Sequence, residues 1–162
     1  MTRLTLLRHA KSIWEKEDNR DIDRTLNSRG HREATLMGLV CEERLPPPDL
    51  LLVSSAKRTR ETVELFFEAW KEAEPAMEVV EALYLAGLEE LLEIVEERAV
   101  VGNHLIICSH QPGLGDFASW LCPDFRGRVP PAAVISILVD SGPLKRFSGT
   151  LDFTGTPADF QI

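Results

Sequence analysis

Short apolar runs alternate along the chain with longer amphipathic stretches, and this alternation predicts the elements of the fold. Runs of about four to eight mostly apolar residues are typical of buried strands. Such runs stand at 2–7, 50–53, 77–80, 104–108 and 132–139. A further segment, 144–153, predicts an edge strand that closes a hairpin at 140–142.

The stretches between these runs carry apolar residues at helical spacing. The first predicted helix has Ser28 as its N-cap and places Ala34, Met37 and Cys41 on one face. Further helices are predicted over 56–72, 88–95 and 112–121. The remaining long stretch, 11–27, is dense in charge and lacks this spacing, so it predicts a loop.

Strands that alternate with helices predict a mainly parallel sheet with helices on both faces. We therefore expect an α/β fold, a three-layer αβα sandwich, formed by one domain over residues 1–162. Ligands of such folds bind at the carboxyl ends of the strands. Arg8-His9, the segment 54–58 and Ser109-His110 each follow a predicted strand directly. We expect these three places to meet at one rim of the sheet.

Composition and charge exclude several classes of protein. Of the 162 residues, 44% are hydrophobic and 27% are charged, which is typical of a globular chain. The net charge of −8 argues against a nucleic-acid partner, although residues 1–60 gather 12 Lys and Arg against 9 Asp and Glu. The longest apolar run, 82–86, is far too short to span a membrane.

Cysteine usage indicates a reducing compartment. The three cysteines, Cys41, Cys108 and Cys122, are odd in number and stand among apolar neighbours, so we expect buried free thiols. The N-terminal residues show no signal-segment pattern. These features predict a cytoplasmic protein.

The three strand ends together carry two histidines and two arginines. Arg8 and Arg58 offer planar forks of donors that match phosphate oxygens. His9 or His110 can attack phosphorus through an unprotonated ring nitrogen, and nearby guanidinium charges disfavour the imidazolium form. The same charges stabilise a transferring phosphoryl group, so no metal or cofactor is expected. Taken singly, each of the four is more often a loop or surface residue.

Ordered motifs at these positions resemble those of the histidine phosphatase superfamily, also called the phosphoglycerate mutase-like family. The segment 7–10 (LRHA) is similar to its Arg-His signature, 54–62 (SSAKRTRET) to its second motif, and 109–112 (SHQP) to its third. The segments 8–12 and 21–30 further resemble the small SixA-type phosphohistidine phosphatases. The likeness implies a phosphoglycerate mutase-like fold over essentially the whole chain.

The resemblance also implies roles for single residues. His9 would be the nucleophile that carries a transient phosphoryl group, while Arg8, Arg58 and His110 would hold the phosphate. Further candidates for contacts with the substrate are Lys11, Ser109 and Arg24.

The motifs do not assign a general acid. Larger relatives use a carboxylate from a long segment after the third strand, and this chain has only 80–83 (VEAL) there. The candidate carboxyl groups are Glu81, Asp21 and Asp23. A missing acid suits phosphohistidine, because a phosphoramidate nitrogen is basic enough to be protonated before it leaves, whereas an ester oxygen needs a donor.

We therefore expect a metal-independent phosphatase that works through a phosphohistidine on His9 and acts on phosphohistidine in proteins. One alternative is a small-molecule phosphomonoesterase of the same fold, and another is a non-catalytic phosphate-binding module of a signalling pathway. The short loop 16–24 predicts a shallow groove open to a protein surface, whereas a deep cavity would favour the small-molecule alternative. Neither a nucleic-acid nor a membrane partner is expected.

Overall fold

A central sheet of parallel strands, extended at one side by antiparallel ones, positions every other part of the molecule. The computed structural model describes residues 1–14, 20–98 and 103–161. The strands in these residues are β1 Thr2–Arg8, β2 Leu50–Ser54, β3 Ala76–Val80, β4 His104–Ser109, β5 Val134–Val139 and β6 Thr150–Gly155. Their order across the sheet is β3-β2-β4-β1-β5-β6. The strand β5 runs antiparallel to β1 and β6, and the other neighbours are parallel.

Helices cover both faces of this sheet. They are α1 Ser28–Arg44, α2 Lys57–Ala69, α3 Leu88–Arg98, α4 Gly113–Leu121 and the short α5 Pro157–Phe160, with 3-10 turns at Asp21–Asp23 and Glu81–Leu83. Residues of α1 and α2 share one apolar core with the sheet, and residues of α3 and α4 share the other. The prediction of an αβα sandwich with a mainly parallel sheet is confirmed.

The strand β4 shows how one short run of residues builds both cores. Successive side chains of a strand point to opposite faces. Leu105 and Ile107 face the core of α3 and α4, while Ile106 and Cys108 face the core of α1 and α2. A strand that is covered on both faces must be apolar at nearly every position, which is why the sequence shows an unbroken apolar run here. The three cysteines of the chain are buried and free, as predicted.

The carboxyl ends of β1, β2 and β4 lie side by side. Arg8 pairs in register with Ser109, and Val53 pairs with Cys108. The residues that follow these strands therefore leave the sheet at one common edge, as the sequence predicted. This edge is where the polar side chains of the three motifs meet.

The first helix begins one residue away from the predicted start. Asn27, and not Ser28, is the N-cap of α1, because its side-chain oxygen accepts a hydrogen bond from the N–H of Gly30 at 2.8 Å. The backbone N–H of Asn27 also donates to the carbonyl of Lys11 at 3.0 Å. Asparagine and serine are equally good N-caps, so this tertiary contact selects between them.

The predicted edge strand is present as β6 and pairs antiparallel with β5, but it does not begin at 144, and the predicted tight hairpin at 140–142 is wrong. The strand β6 begins at Thr150, and the chain before it follows the end of α4 instead. The N–H of Phe147 donates to the carbonyl of Trp120 at 3.0 Å, and the N–H of Gly149 donates to that of Leu121 at 2.8 Å. The last carbonyls of a helix have no partner within it. Here they accept hydrogen bonds from this segment, which therefore does not pair with β5.

Gly38 gives a test of the packing between α1 and α2. A Cβ atom at this position would overlap the backbone carbonyl oxygen of Phe66 in α2. Alanine is the better helix former by about 1 kcal/mol, yet we expect Gly38→Ala to lower the free energy of unfolding by about 1–3 kcal/mol, because the helices must move apart. Urea unfolding measures the change, with the exposed Thr35→Ala of the same helix as the control. A Gly38→Ala protein as stable as the parent would contradict this packing.

Candidate active site

The ring of His9 is fixed where the chain leaves β1. Its Nδ1 lies 2.8 Å from the carbonyl oxygen of Ala10. A carbonyl oxygen can only accept, so Nδ1 carries the hydrogen and Nε2 keeps its lone pair. The N–H of Ala10 donates to Oγ1 of Thr62 in α2 at 2.9 Å, which holds this turn of the chain in place. The side chain is almost entirely buried, and Nε2 is the nitrogen available for reaction.

The ring of His110, which follows β4, has the opposite tautomer. Its Nδ1 lies 3.3 Å from Nη2 of Arg58, and its Nε2 lies 2.7 Å from Oγ of Ser54. A guanidinium only donates, so Nδ1 accepts and Nε2 carries the hydrogen that is donated to Ser54. The centroids of the His9 and His110 rings are 5.4 Å apart, which is close enough for one tetrahedral oxyanion to touch both.

Two arginines place their charges beside these rings. Arg58, in the first turn of α2, is 3% exposed and donates from Nη1 to the carbonyl of Asp21 at 2.8 Å. Arg8 donates from Nη1 to the carbonyl of Val129 at 2.8 Å. The Nε atoms of both arginines are buried and lack a hydrogen-bond partner among the described residues. Both guanidinium groups line the same pocket as the two rings, and their permanent charges suit an anion there.

Burial and positive charge keep both histidines neutral. Burial lowers the pKa of His9 to about 3, although its bond to the Ala10 carbonyl works in the other direction; the charges of Arg58 and Arg8 lower it further. Burial and the Arg58 charge likewise lower the pKa of His110 to about 4. Both rings are therefore unprotonated at neutral pH, which is the state that a nucleophilic nitrogen requires.

Asp21 is the one carboxylate among the described residues that line the pocket. Its Oδ1 accepts from Nη1 of Arg24 at 3.0 Å, and its Oδ2 accepts from Nη2 of Arg58 at 3.2 Å and from the Tyr84 hydroxyl. Partial burial works to raise the pKa of Asp21, but the hydrogen bonds from Tyr84, Arg24 and Arg58 outweigh it and hold that pKa at about 2. Asp21 is therefore an anion at neutral pH.

These side chains surround a pocket of about 300 Å³. Its lining combines cations, the two neutral histidines, one carboxylate and a rim of apolar groups: Arg8, His9, Lys11, Ser12, Trp14, Asp21, Arg24, Arg58, Leu85, His110, Gln111 and Pro131. The described lining residues carry four formal positive charges against one negative charge, in a chain whose net charge is −8. Such a pocket attracts small anions and favours a phosphoryl group with charge spread over three oxygens.

A family model describing the histidine phosphatase superfamily (branch 1) matches residues 4–99, which is more than half of the chain. The chain belongs to this superfamily. The resemblance carried by the motifs is thereby confirmed. The match includes His9, Arg8 and Arg58 and ends before His110.

Relatives and solved structures agree with this assignment. An uncharacterized chloroplastic protein of Arabidopsis thaliana is 33% identical over 127 residues, which cover 74% of this chain and 58% of that protein. The protein histidine phosphatase SixA complexed with tungstate has a TM-score of 0.85 at 20% identity, covering 99% of this chain and 100% of that chain. Fold similarity also extends to a mycobacterial glucosyl-3-phosphoglycerate phosphatase, with a TM-score of 0.71, 13% identity, and 94% and 98% coverage of the two chains. The phosphoglycerate mutase-like fold is confirmed.

The structure brings together most of the residues that the sequence singled out. His9, Arg8, Arg58 and His110 line one pocket, and Lys11 and Arg24 lie in its wall. Two further hydrogen bonds hold Arg24 in that wall. Its Nε donates to the carbonyl of Ile13 at 2.9 Å, and its Nη2 donates to Oγ of Ser12 at 2.6 Å. The predicted shallow groove depends on the loop 16–24, and residues 15–19 lie outside the described residues.

Three predicted site residues are placed elsewhere. Ser109 is fully buried and donates to the carbonyl of Leu83 at 2.9 Å; it shares the face of β4 with Ile107, so it points into the core and not into the pocket. Asp23 is exposed and pairs with Arg20 at 3.1 Å. Glu81 is exposed at the start of its 3-10 turn. None of the three is positioned to touch a phosphate held between His9 and His110.

Tyr84 is a site residue that sequence reasoning missed. Its ring packs edge-on against His110 at 5.5 Å, and its hydroxyl donates to Asp21. Tyr84 is the only tyrosine of the chain and stands in the short segment after β3 where an acid was sought. Its neighbour Leu85 has a φ of 53°, in the left-handed region that non-glycine residues rarely adopt, and is exposed at the pocket rim. The sequence feature that could have identified Tyr84 is a single polar aromatic residue in that segment.

None of the helices in 1–14, 20–98 and 103–161 is long and apolar enough to cross a membrane. Within the same ranges, no group of three or more His, Cys, Asp or Glu side chains is arranged to hold a metal ion.

The two pocket histidines should show opposite tautomers in solution. We expect two-bond ¹⁵N–¹H NMR spectra to show hydrogen on Nδ1 of His9 and on Nε2 of His110, because a carbonyl and a guanidinium fix these states. Both rings should stay neutral as the pH is lowered to about 5, since their pKa values lie at about 3 and about 4. Imidazolium signals for either ring near pH 6.5 would contradict this site geometry.

Buried histidines also set how stability depends on pH. His104, away from the pocket, has a pKa lowered by burial to about 4, beside the values of about 3 for His9 and about 4 for His110. Histidines of the unfolded chain titrate near 6.5, so the unfolded state takes up protons first. The free energy of unfolding should therefore be highest above about pH 6.5 and fall toward pH 4, by up to about 1.4 kcal/mol per pH unit for each histidine.

Urea unfolding between pH 7.5 and 4.5 measures this slope. His104→Gln removes one of the three groups without touching the pocket, so its slope should be smaller by one proton's contribution. A free energy of unfolding that stays constant from pH 6.5 to 4.5 would disprove the burial of neutral histidines.

Proposed function

We propose that this protein hydrolyses phosphohistidine in proteins, through a phosphoryl group carried on Nε2 of His9 and without a metal ion. One observation carries the proposal. The Nδ1 hydrogen of His9 is fixed by the Ala10 carbonyl, so the Nε2 lone pair lies in a pocket that Arg8 and Arg58 also line. A neutral nucleophile next to permanently charged guanidinium groups is the arrangement that phosphoryl transfer to histidine requires.

The reaction has two displacements. In the first, the Nε2 lone pair of His9 forms a bond to phosphorus while the bond from phosphorus to the substrate nitrogen breaks, and its electron pair stays on that nitrogen. In the second, water attacks the phosphorus of the phosphoenzyme, the bond to Nε2 breaks, and phosphate leaves with release of one proton. The negative charge in both steps is stabilised by Arg8, Arg58 and the other cations of the pocket wall. Bound metal ions have this role in many other phosphoryl-transfer enzymes.

The charge states in the pocket favour a phosphoramidate over an ester. Asp21 is ionised, and the other candidate acids, Glu81 and Asp23, lie on the exposed surface. Among the described residues, no protonated carboxyl group is placed to give a proton to an alkoxide leaving group. A phosphohistidine nitrogen does not need one, so the small-molecule phosphomonoesterase is the less favoured alternative.

The rim of the pocket supports a protein substrate. Trp14 is 80% exposed and Leu85 is 58% exposed, and both line the opening. Exposed apolar side chains around a polar pocket are typical of surfaces that meet another macromolecule. We also propose that residues 1–162 act as a single domain and that the protein works in the cytoplasm, which the free, buried cysteines support.

Trapping of the phosphoenzyme tests the nucleophile. A ³²P-labelled phosphohistidine protein or small phosphoramidate should transfer label to the wild-type chain, and the label should be acid-labile as expected for phosphohistidine. We expect His9→Ala to lose the label and at least about a thousandfold of the turnover, since the nucleophile is removed. His31→Ala, an exposed histidine of α1, is the matched control and should behave as wild type.

The result also separates the alternatives. Equal labelling of His9→Ala and wild type would remove His9 as the nucleophile. Rapid turnover of phosphate esters with no action on phosphohistidine would instead favour the phosphomonoesterase. Binding of phosphate without label or turnover would favour the non-catalytic module.

A further inference from the structure

A carboxylate in a pocket for a phosphate dianion needs an explanation. Asp21 is an anion with a side chain that is 36% exposed, and it lines the same pocket as His9 and Arg58. Like charges at this range repel, so Asp21 by itself weakens the binding of phosphate. Some other part of the substrate must offset this repulsion.

Resting on the function proposed above, we propose that Asp21 is a specificity-determining residue that accepts a hydrogen bond from the second ring nitrogen of the substrate's phosphohistidine. Asp21 would thus select substrates whose leaving group is a protonated imidazole ring. Phosphate esters carry no such N–H group.

The depth of each residue places the leaving group near Asp21. His9 is 8% exposed at the floor of the pocket, and the more exposed Asp21 lies nearer the opening. A series of contacts leads from His9 to Asp21. The ring centroids of His9 and His110 are 5.4 Å apart, and Nδ1 of His110 lies 3.3 Å from Nη2 of Arg58. The same Nη2 donates to Oδ2 of Asp21 at 3.2 Å. In an in-line displacement the leaving group departs away from the nucleophile, which here is toward the opening and Asp21.

Asp21 also has acceptor capacity to spare. A carboxylate offers about four lone-pair positions. Donors among the described residues use three, from Arg24 on Oδ1 and from Arg58 and Tyr84 on Oδ2. No described residue donates to the fourth position, and the exposed part of the carboxylate can meet a donor that enters the pocket. The three bonds hold the carboxylate still, so little ordering is needed when the substrate binds.

The proton balance explains why no general acid is needed. When the ring nitrogen remote from phosphorus carries a hydrogen, the phosphorylated ring is a cation. Attack by Nε2 of His9 breaks the P–N bond, the electron pair remains on the released nitrogen, and the ring departs as neutral imidazole with its hydrogen still on the other nitrogen. Without that hydrogen the ring would depart as an imidazolate anion, a far poorer leaving group. The Asp21 carboxylate stabilises the cationic ring and so keeps it protonated to higher pH.

Titration of the groups around Asp21 between pH 6 and 9 does not reproduce the pH dependence that protonation of the substrate ring causes. Arg24 and Arg58 are permanently charged, Tyr84 has a pKa raised by burial and by Asp21, and His110 is neutral above about pH 4. The other charged or titratable groups among the described lining residues are Arg8, whose charge is permanent, His9, which is neutral above about pH 3, and Lys11. The substrate ring is therefore the group whose protonation changes in this range.

Asp21→Asn tests the proposal with two substrates. A phosphohistidine peptide has a leaving ring that needs the carboxylate, whereas p-nitrophenyl phosphate has a leaving group that departs without a proton. We expect kcat/KM for the peptide to fall about ten- to a hundredfold, the value of one charge-assisted hydrogen bond. For p-nitrophenyl phosphate it should stay within about threefold, and inorganic phosphate should inhibit the variant as well as, or better than, wild type, since a repulsive charge is gone.

A pH profile gives a second readout. With the peptide, the rate of Asp21→Asn should fall at lower pH than the wild-type rate does, and Asp21→Glu should restore part of the wild-type profile. Asp23→Asn, an exposed carboxylate of the same 3-10 turn paired with Arg20, is the control and should leave both substrates and the profile unchanged.

The alternative is that Asp21 only positions Arg58. In that case Asp21→Asn would slow both substrates together and weaken inhibition by inorganic phosphate, and the proposal would be overturned. Equal peptide turnover by Asp21→Asn and wild type would overturn it too, with the proposed function intact. A wild-type protein that never acts on the peptide would overturn the proposed function itself, and this inference with it.

Discussion

The hydrogen bond between Nδ1 of His9 and the carbonyl of Ala10 decides what the pocket can do. It fixes the tautomer that leaves Nε2 with a lone pair. Without this bond, a neutral ring could carry its hydrogen on either nitrogen. The bond depends on the path of the backbone after β1. That path is held by the N–H of Ala10, which donates to Oγ1 of Thr62, and Thr62 in turn donates to the carbonyl of Arg58 at 2.6 Å. His9 and Arg58 are thus positioned by one chain of hydrogen bonds between β1 and α2.

This arrangement requires charges that are expensive to bury. Arg58 is almost fully covered, and Arg8 has a pKa lowered by burial and by the charge of Arg58. Two guanidinium groups in proximity repel each other, and the pocket tolerates them because each donates to backbone carbonyls and because Asp21 neutralises part of the charge. The positive balance that remains lies within an acidic chain. An anion therefore finds one attractive place on a surface that otherwise repels it.

The strand ends were predictable because their signals are local. A buried strand in a parallel sheet is an unbroken apolar run, and its end is marked where Arg8-His9 or Ser109-His110 begins. The topology then brings the ends together without any further information. What sequence could not resolve is which of two adjacent polar residues faces the site. The alternation of β4 turns Ser109 into the core and leaves His110 for the pocket, and an error of one residue in the strand end reverses that assignment.

Contacts between distant segments could not be predicted from the sequence, for a different reason. Asn27 was chosen over Ser28 as the cap by its bond to Lys11, and the segment before β6 was captured by the last carbonyls of α4. Tyr84 reaches Asp21 across 63 positions of the chain. Each of these pairs is chemically ordinary, and no spacing rule connects its members. Only the packed structure brings them within reach.

The protonation states complete the logic of the pocket. Burial keeps His9 and His110 neutral, hydrogen bonds keep Asp21 anionic, and Tyr84 holds its hydrogen with a raised pKa. Each of these groups is thus locked in one state near neutral pH, so none of them serves as a store of exchangeable protons. A pocket built this way cannot adjust itself to a leaving group that needs a proton. Under the function proposed above, the substrate brings its own proton, and selectivity follows from charge states that the fold imposes before any substrate arrives.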